Sequence, residues 1–147
     1  MKLRFLSFLL LTVIIGAINQ SCSSSDDNDI QFDDDTQAQA EAIVVSGNWR
    51  ISSYVDSGND ETTDYNGYLF TFRSNGTVIA ENGNRIQAGT WSVTSSDSQD
   101  DETEGDLDFN LFFDVPEDDI FDDLIDDWDI VSINANMISL IDVSGGS

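Results

Sequence analysis

From Val44 onward the chain is built of short runs in which apolar and polar residues alternate with a period of two. In the run from Trp49 to Val55, Trp49, Ile51, Ser53 and Val55 fall on one side and Arg50, Ser52 and Tyr54 on the other. In the next, Gly67 to Arg73, Tyr68, Phe70 and Phe72 oppose Leu69, Thr71 and Arg73. A sheet with one face on a core and one in water produces this pattern. Ser74-Asn75-Gly76 follows at once, and Asn-Gly between two such runs marks a hairpin because both residues tolerate positive φ. The partner strand is Thr77 to Glu81. A second turn, Glu81-Asn82-Gly83-Asn84, leads into Arg85 to Thr94, where Gly89, Trp91 and Val93 share a face. After an acidic loop, Leu107 to Asp114 sets Leu107, Phe109, Leu111 and Phe113 toward the core and Phe112 away from it. Trp128 to Asn134 and Met137 to Val143, separated by Ala135-Asn136, read as a closing hairpin.

One segment has another period. After Pro116, the apolar residues Ile120, Phe121, Leu124, Ile125 and Trp128 recur at the spacing of an amphipathic helix. Pro116 suits a first turn, and the acids behind it suit the positive end of a helix dipole. A short helix capping one end of the domain is therefore expected just before the Trp128 strand. Seven strands are recognisable and an eighth is unassigned. Residues 44–147 are thus read as one all-β domain, a single antiparallel barrel of seven to eight strands with one short amphipathic helix before the last two strands. Closure of the barrel avoids long exposed edges.

The first 43 residues read differently. Lys2 and Arg4 flank the start of an apolar run from Leu3 to Ile18, which ends at Asn19-Gln20-Ser21-Cys22. The run falls short of the ~20 residues that span a bilayer core, so a transmembrane helix is its second reading. Residues 1–21 are read as a lipoprotein signal peptide, removed to leave Cys22 as an N-terminus carrying palmitate-type acyl chains. Residues 22–43, rich in Ser, Asp and Gln with isolated Ile30 and Phe32, are read as an acidic flexible tether. Such a tether holds its domain some ~25 Å from the anchor. The expected setting is the outer membrane, reached through lipid on Cys22 and facing the cell exterior. A single cysteine excludes an intramolecular disulfide.

Charge narrows the chemistry. The chain has 29 acidic and 5 basic residues, a formal charge of −24 that becomes −26 once Lys2 and Arg4 leave with the leader. Arg50, Arg73 and Arg85 are then the only cations, too few for the phosphate contacts that nucleic-acid binding requires. There is no histidine, and the one cysteine is assigned to lipid. Cys–His and Ser–His–Asp catalysis and His or Cys metal sites are excluded, and no enzyme is expected. Oxygen ligands are abundant, so weakly bound calcium is the one cofactor considered. Its candidates are the loop from Asp100 to Asp108 and the series Asp118, Asp119, Asp122 and Asp123, continued by Asp126 and Asp127. On a helix these aspartates would repel at i, i+4 spacing. The loop does not follow the EF-hand pattern, since Leu111 stands where a bidentate Glu is needed, and a solvated acidic face is the alternative.

Gly47-Asn48-Trp49-Arg50-Ile51, Tyr68-Leu69-Phe70-Thr71-Phe72 with Asn75-Gly76-Thr77, Gly89-Thr90-Trp91-Ser92-Val93, and Phe121-Asp122-Asp123-Leu124 with Asp127-Trp128 occur in that order. Together they resemble the lipocalin-like lipoproteins of the Bacteroidetes, over roughly Ser46 to Val143. The resemblance implies an eight-stranded calycin-type barrel with a mouth, its base closed by the Gly-x-Trp tryptophan, Trp49. It also implies surface display, through the serine-aspartate stretch after Cys22. The arginine that covers this tryptophan in lipocalins proper has no counterpart, because no Arg or Lys follows Arg85. Trp49, Tyr68, Phe70, Phe72, Trp91, Phe109 and Phe113 either line a pocket or fill the core. The expected function is a cell-envelope lipoprotein presenting a non-catalytic binding module for a small apolar ligand or an envelope protein. The alternative is a structural or accessory surface lipoprotein with a filled core, stabilised by calcium.

Overall fold

The computed structural model describes residues 8–13, 36–95 and 107–142. Within them the alternating runs form strands β2 (Asn48–Asp56), β4 (Leu69–Phe72), β5 (Thr77–Glu81), β6 (Ile86–Ser95), β7 (Leu107–Phe113), β8 (Asp126–Asn134) and β9 (Met137–Ile141). A two-residue strand, β3 (Asn59–Asp60), folds back on the end of β2. Asparagine side chains set the hairpins. Oδ1 of Asn75 accepts from the Thr77 amide, that of Asn82 from the Asn84 and Arg85 amides, and that of Asn134 from the Asn136 and Met137 amides. These bonds join residues two or three apart, so the turns need no distant partner to bend the chain. Gly89 allows a close approach that no other residue would, because a Cβ there would run into the Phe112 carbonyl and the Phe113 ring.

The unassigned eighth strand is β1, Phe8–Val13, from the apolar run at the start of the chain. It pairs antiparallel with β9, Phe8 opposite Ile141 and Thr12 opposite Met137, and antiparallel with β2, Phe8 opposite Val55 and Val13 opposite Trp49. These two ladders close an eight-stranded antiparallel barrel in the order β1-β9-β8-β7-β6-β5-β4-β2. The chain is therefore an all-β, lipocalin-like barrel. Leu9 and Leu11 point inward, with 0% and 2% of their surface exposed.

Two strands change phase. Between Leu10 and Leu11 the β1–β2 register slips, with Leu10 opposite Ser53 but Leu11 opposite Ile51, so Ser52 is the extra residue of a bulge. Tyr54 consequently turns into the core, not outward with Arg50 and Ser52 as strict alternation requires. In β8 the slip between Ile130 and Ser132 leaves Val131 53% exposed and returns Ile133 to the interior.

The helix expected after Pro116 does not form. Residues 117–121 make turns, followed by a single 3-10 turn at Asp122–Leu124. Asp119 Oδ1 accepts from the Phe121 amide at 3.0 Å, an alternative to the helical ladder that short polar side chains offer. Stacking like charges at i, i+4 also disfavours a helix here. The α-helix lies elsewhere: α1, Thr36–Val44, inside the stretch read as tether. Its Gln-Ala-Gln-Ala-Glu-Ala sequence is made of strong helix formers, and Ala40 and Val44, one turn apart, are buried in the barrel core. The folded domain thus includes Thr36–Ile43, ahead of the boundary at 44. No helix among the described residues is long and apolar enough to cross a membrane.

Candidate functional site

The barrel interior is filled by aromatic rings. Trp49, Tyr68, Phe70, Phe72, Trp91, Phe109 and Phe113 are all buried in one apolar cluster. Phe72 meets Trp91 and Phe109 edge-on at 5.5 Å between centroids, and Trp91 stacks on Phe109 at 5.9 Å. Rings in mutual contact occupy the space that a hollow calyx would leave to a ligand.

Both ends of this column are covered. At one end the turn segment after Pro116 folds over the opening and inserts Phe121, which is 0% exposed. Its ring meets Phe113 at 5.0 Å and Tyr68 at 5.1 Å, with Tyr65 and Phe70 slightly further away. The main chain of the plug is held by donors from the wall. Tyr65 Oη donates to the Ile120 carbonyl at 2.7 Å, Tyr54 Oη to that of Asp123 at 2.9 Å, and Trp128 Nε1 to that of Leu124 at 3.1 Å. Arg85 lies over the Phe121 ring, its guanidinium carbon 5.0 Å from the centroid, and pairs with Asp119 at 2.7 Å. Burial pushes the Asp119 carboxyl up, but the Phe121 amide and the Arg85 guanidinium outweigh it and hold the group below the usual carboxylate range. The same bond raises Arg85. Burial, reinforced by Tyr54 and the nearby carboxylates, pushes the Tyr65 phenol well above its ordinary value, so it stays protonated as a donor.

At the other end lies α1. Trp49 Nε1 donates to the carbonyl of Val44, the last residue of the helix, at 2.8 Å, and Gln37 Nε2 donates to the Val93 carbonyl at 2.8 Å. Trp49 therefore ties the helix to the barrel base, where a bare carbonyl would otherwise be buried. Between the helix and the β4–β5 turn runs a groove of about 400 Å³, lined by Ala38, Glu41, Ala42, Val45, Ser74, Gly76, Trp91 and Ser92. Trp91 is one of its apolar lining residues, and its Nε1 is engaged by the Arg73 carbonyl at 2.9 Å.

The calcium candidates are not gathered into a ligand set. Asp119 is engaged by Arg85 and the Phe121 amide, Asp118 is exposed, and Asp122 and Asp123 follow the 3-10 turn instead of a helical face. No group of three or more metal-ligating side chains occurs among the described residues. Cys22 and the acidic loop 96–106, with Asp100 and its neighbours, lie outside the described residues. Phe112 stands on the outer wall, 54% exposed. The segment after Pro116 covers one end of the barrel as its apolar spacing implies, though as turns and not as a helix, whereas the strand pattern did not reveal the groove. Tyr65 ends a 3-10 turn, Thr62–Tyr65, where period-two alternation is silent; Arg85, read as the start of a strand, lies just ahead of β6; and the helix was hidden by the polar composition of its stretch. The high helix propensity of residues 37–42 was the available signal. Comparison of the chain with protein families, curated proteins and solved structures finds no match.

Proposed function

We propose that this chain is a cell-envelope lipoprotein of the lipocalin-like kind, anchored through Cys22, whose barrel is a non-catalytic binding module. The groove between α1 and Trp91 carries this reading. Its volume lies within the ~300–1,000 Å³ typical of small-molecule sites, and Ala38, Ala42, Val45 and Trp91 line it together with the polar Glu41, Ser74 and Ser92. A small apolar ligand, or an apolar side chain of an envelope component, fits it better than the interior, whose space is taken by the rings of Phe72, Trp91 and Phe109 and whose end is plugged by Phe121. The packed rings of β4, β6 and β7, all of which lie after Cys22, also favour a second reading, an accessory envelope lipoprotein with a filled core.

A neutral apolar fluorophore such as N-phenyl-1-naphthylamine separates the two. The binding module is expected to take up the dye, and Ala42→Trp, which fills the groove from the exposed face of α1, is expected to weaken uptake at least about tenfold while changing stability by no more than about 0.5 kcal/mol. Uptake unaffected by Ala42→Trp rules out the groove, and no uptake at all leaves the accessory reading. The anchor is tested by intact mass of the protein extracted from its own cells, which should begin at an acylated Cys22.

A further inference from the structure

Asn-Gly occurs three times in this chain, at Asn66-Gly67, Asn75-Gly76 and Asn82-Gly83. In such a pair the glycine amide nitrogen, uncrowded by a side chain, can attack the asparagine Cγ, and the restraint the fold places on the two groups sets the rate. We propose that Asn66-Gly67 is the pair at which this protein deamidates and isomerises with water, and that the isomerised product loosens the Phe121 plug.

The restraint differs among the three pairs. Asn75 Oδ1 accepts from the Thr77 amide at 3.1 Å, and the Gly76 amide, the group that would attack, donates to the Arg73 carbonyl at 3.0 Å. Asn82 Oδ1 accepts from the Asn84 amide at 3.1 Å and from the Arg85 amide at 2.9 Å. Among the described residues, neither the Asn66 carboxamide nor the Gly67 amide has a hydrogen-bond partner, and both residues are exposed. They form the centre of a type II turn. Asn66 has φ −58° and ψ 129°, Gly67 has φ +83°, and the Tyr68 amide closes the turn on the Tyr65 carbonyl at 3.1 Å. The peptide joining Asn66 to Gly67 is therefore free to rotate its nitrogen toward the Asn66 Cγ.

Attack joins that nitrogen to Cγ and expels ammonia, which carries off the amide proton, leaving a cyclic imide. Water then opens the ring. Cleavage of the new bond to Cγ gives aspartate on an unchanged main chain, whereas cleavage of the original bond to the main-chain carbonyl carbon gives isoaspartate, whose main chain is longer by one carbon. The added carbon enters between Tyr65 and Tyr68, both buried, whose rings lie 6.5 Å and 5.1 Å from that of Phe121. Tyr65 Oη also holds the Ile120 carbonyl at 2.7 Å. The turn thus sets the spacing of two rings that grip the plug, and isoaspartate changes that spacing while aspartate does not. All of these residues follow Cys22.

The test ages the full chain in mildly alkaline buffer and maps its peptides by mass spectrometry. Conversion at position 66 is expected to be at least about threefold faster than at 75 or 82, where hydrogen bonds must break first. Asn66→Gln should remove the early product. Conversion at 75 or 82 as fast as at 66, or an early product undiminished in Asn66→Gln, overturns the site. The isoaspartate form, isolated by chromatography, is expected to exchange amide hydrogens over residues 117–125 at least about threefold faster than the fresh chain, while Asn66→Asp, with the same charge on a normal main chain, stays within about twofold of it. Unchanged exchange in the isoaspartate form, or equal acceleration in Asn66→Asp, overturns the effect on the plug.

Discussion

Every indole of this chain, and two of its three phenols, ends in a hydrogen bond to a main-chain carbonyl outside the strand ladders. Trp49 reaches Val44, Trp91 reaches Arg73, Trp128 reaches Leu124, Tyr54 reaches Asp123 and Tyr65 reaches Ile120. Large rings supply the core volume, while their polar ends satisfy carbonyls of helix ends and turns that no ladder serves. That these residues are apolar and inward could be read from period-two alternation for Trp49 and Trp91, while Trp128 belongs to the helical spacing that follows Pro116. It could not for Tyr54, because a bulge at Ser52 reverses the phase, nor for Tyr65, which lies in a turn. Phe121 is the residue on which the plug turns, since four aromatic rings and the Arg85 guanidinium surround it. Phe121→Ala is expected to cost about 3–5 kcal/mol in urea unfolding, because the neighbours belong to a rigid barrel and cannot collapse into the void. A loss below about 1 kcal/mol would show that the plug does not stabilise the fold.

Elements matched the sequence pattern where the period was two and departed from it elsewhere. β5 runs over Thr77–Glu81, as its alternation requires, because its register is fixed by an Asn-Gly turn on one side and an Asn82-Gly83 turn on the other. The segment after Pro116 has helical spacing, yet it must drop Phe121 into the barrel mouth and keep its aspartates apart, and turns achieve both. Its attachment has a pH signature. Asp119 is held below the usual carboxylate range in the folded protein, so the stability it contributes is complete above the ordinary value of 3.8 and is lost as pH falls through the lower folded value. Arg85 is 35% exposed, so solvent screens the pair and its worth is about 0.2–1 kcal/mol. The stability difference between the native chain and Asp119→Asn should therefore be present at about pH 6 and shrink below about pH 4. A difference that persists unchanged into stronger acid would argue that Asp119 acts through its shape alone.

At the scale of the whole molecule, charge and closure dominate. A formal charge of −24 on 147 residues is self-repelling, and salt screens such repulsion, with a Debye length near 30 Å at 0.01 M and about 8 Å at 0.15 M. Raising sodium chloride over that range should raise the melting temperature by about 2–5 °C. Calcium chloride at matched ionic strength should do no more, since no ligand cluster exists among the described residues. A clearly larger rise with calcium would place a site in the acidic loop. By itself the sequence determined the strands, their hairpin order and the inward aromatic faces, because alternation and turn residues act over a few neighbouring positions. It also confined the chemistry to carboxylates, amides and aromatic surfaces. Only the tertiary structure decided which segment closes the barrel, that α1 and not the Pro116 segment is helical, and that turns, not a helix, carry Phe121 into the mouth. Those outcomes depend on contacts between residues far apart in the chain, where the space left by other elements, not local periodicity, selects the conformation.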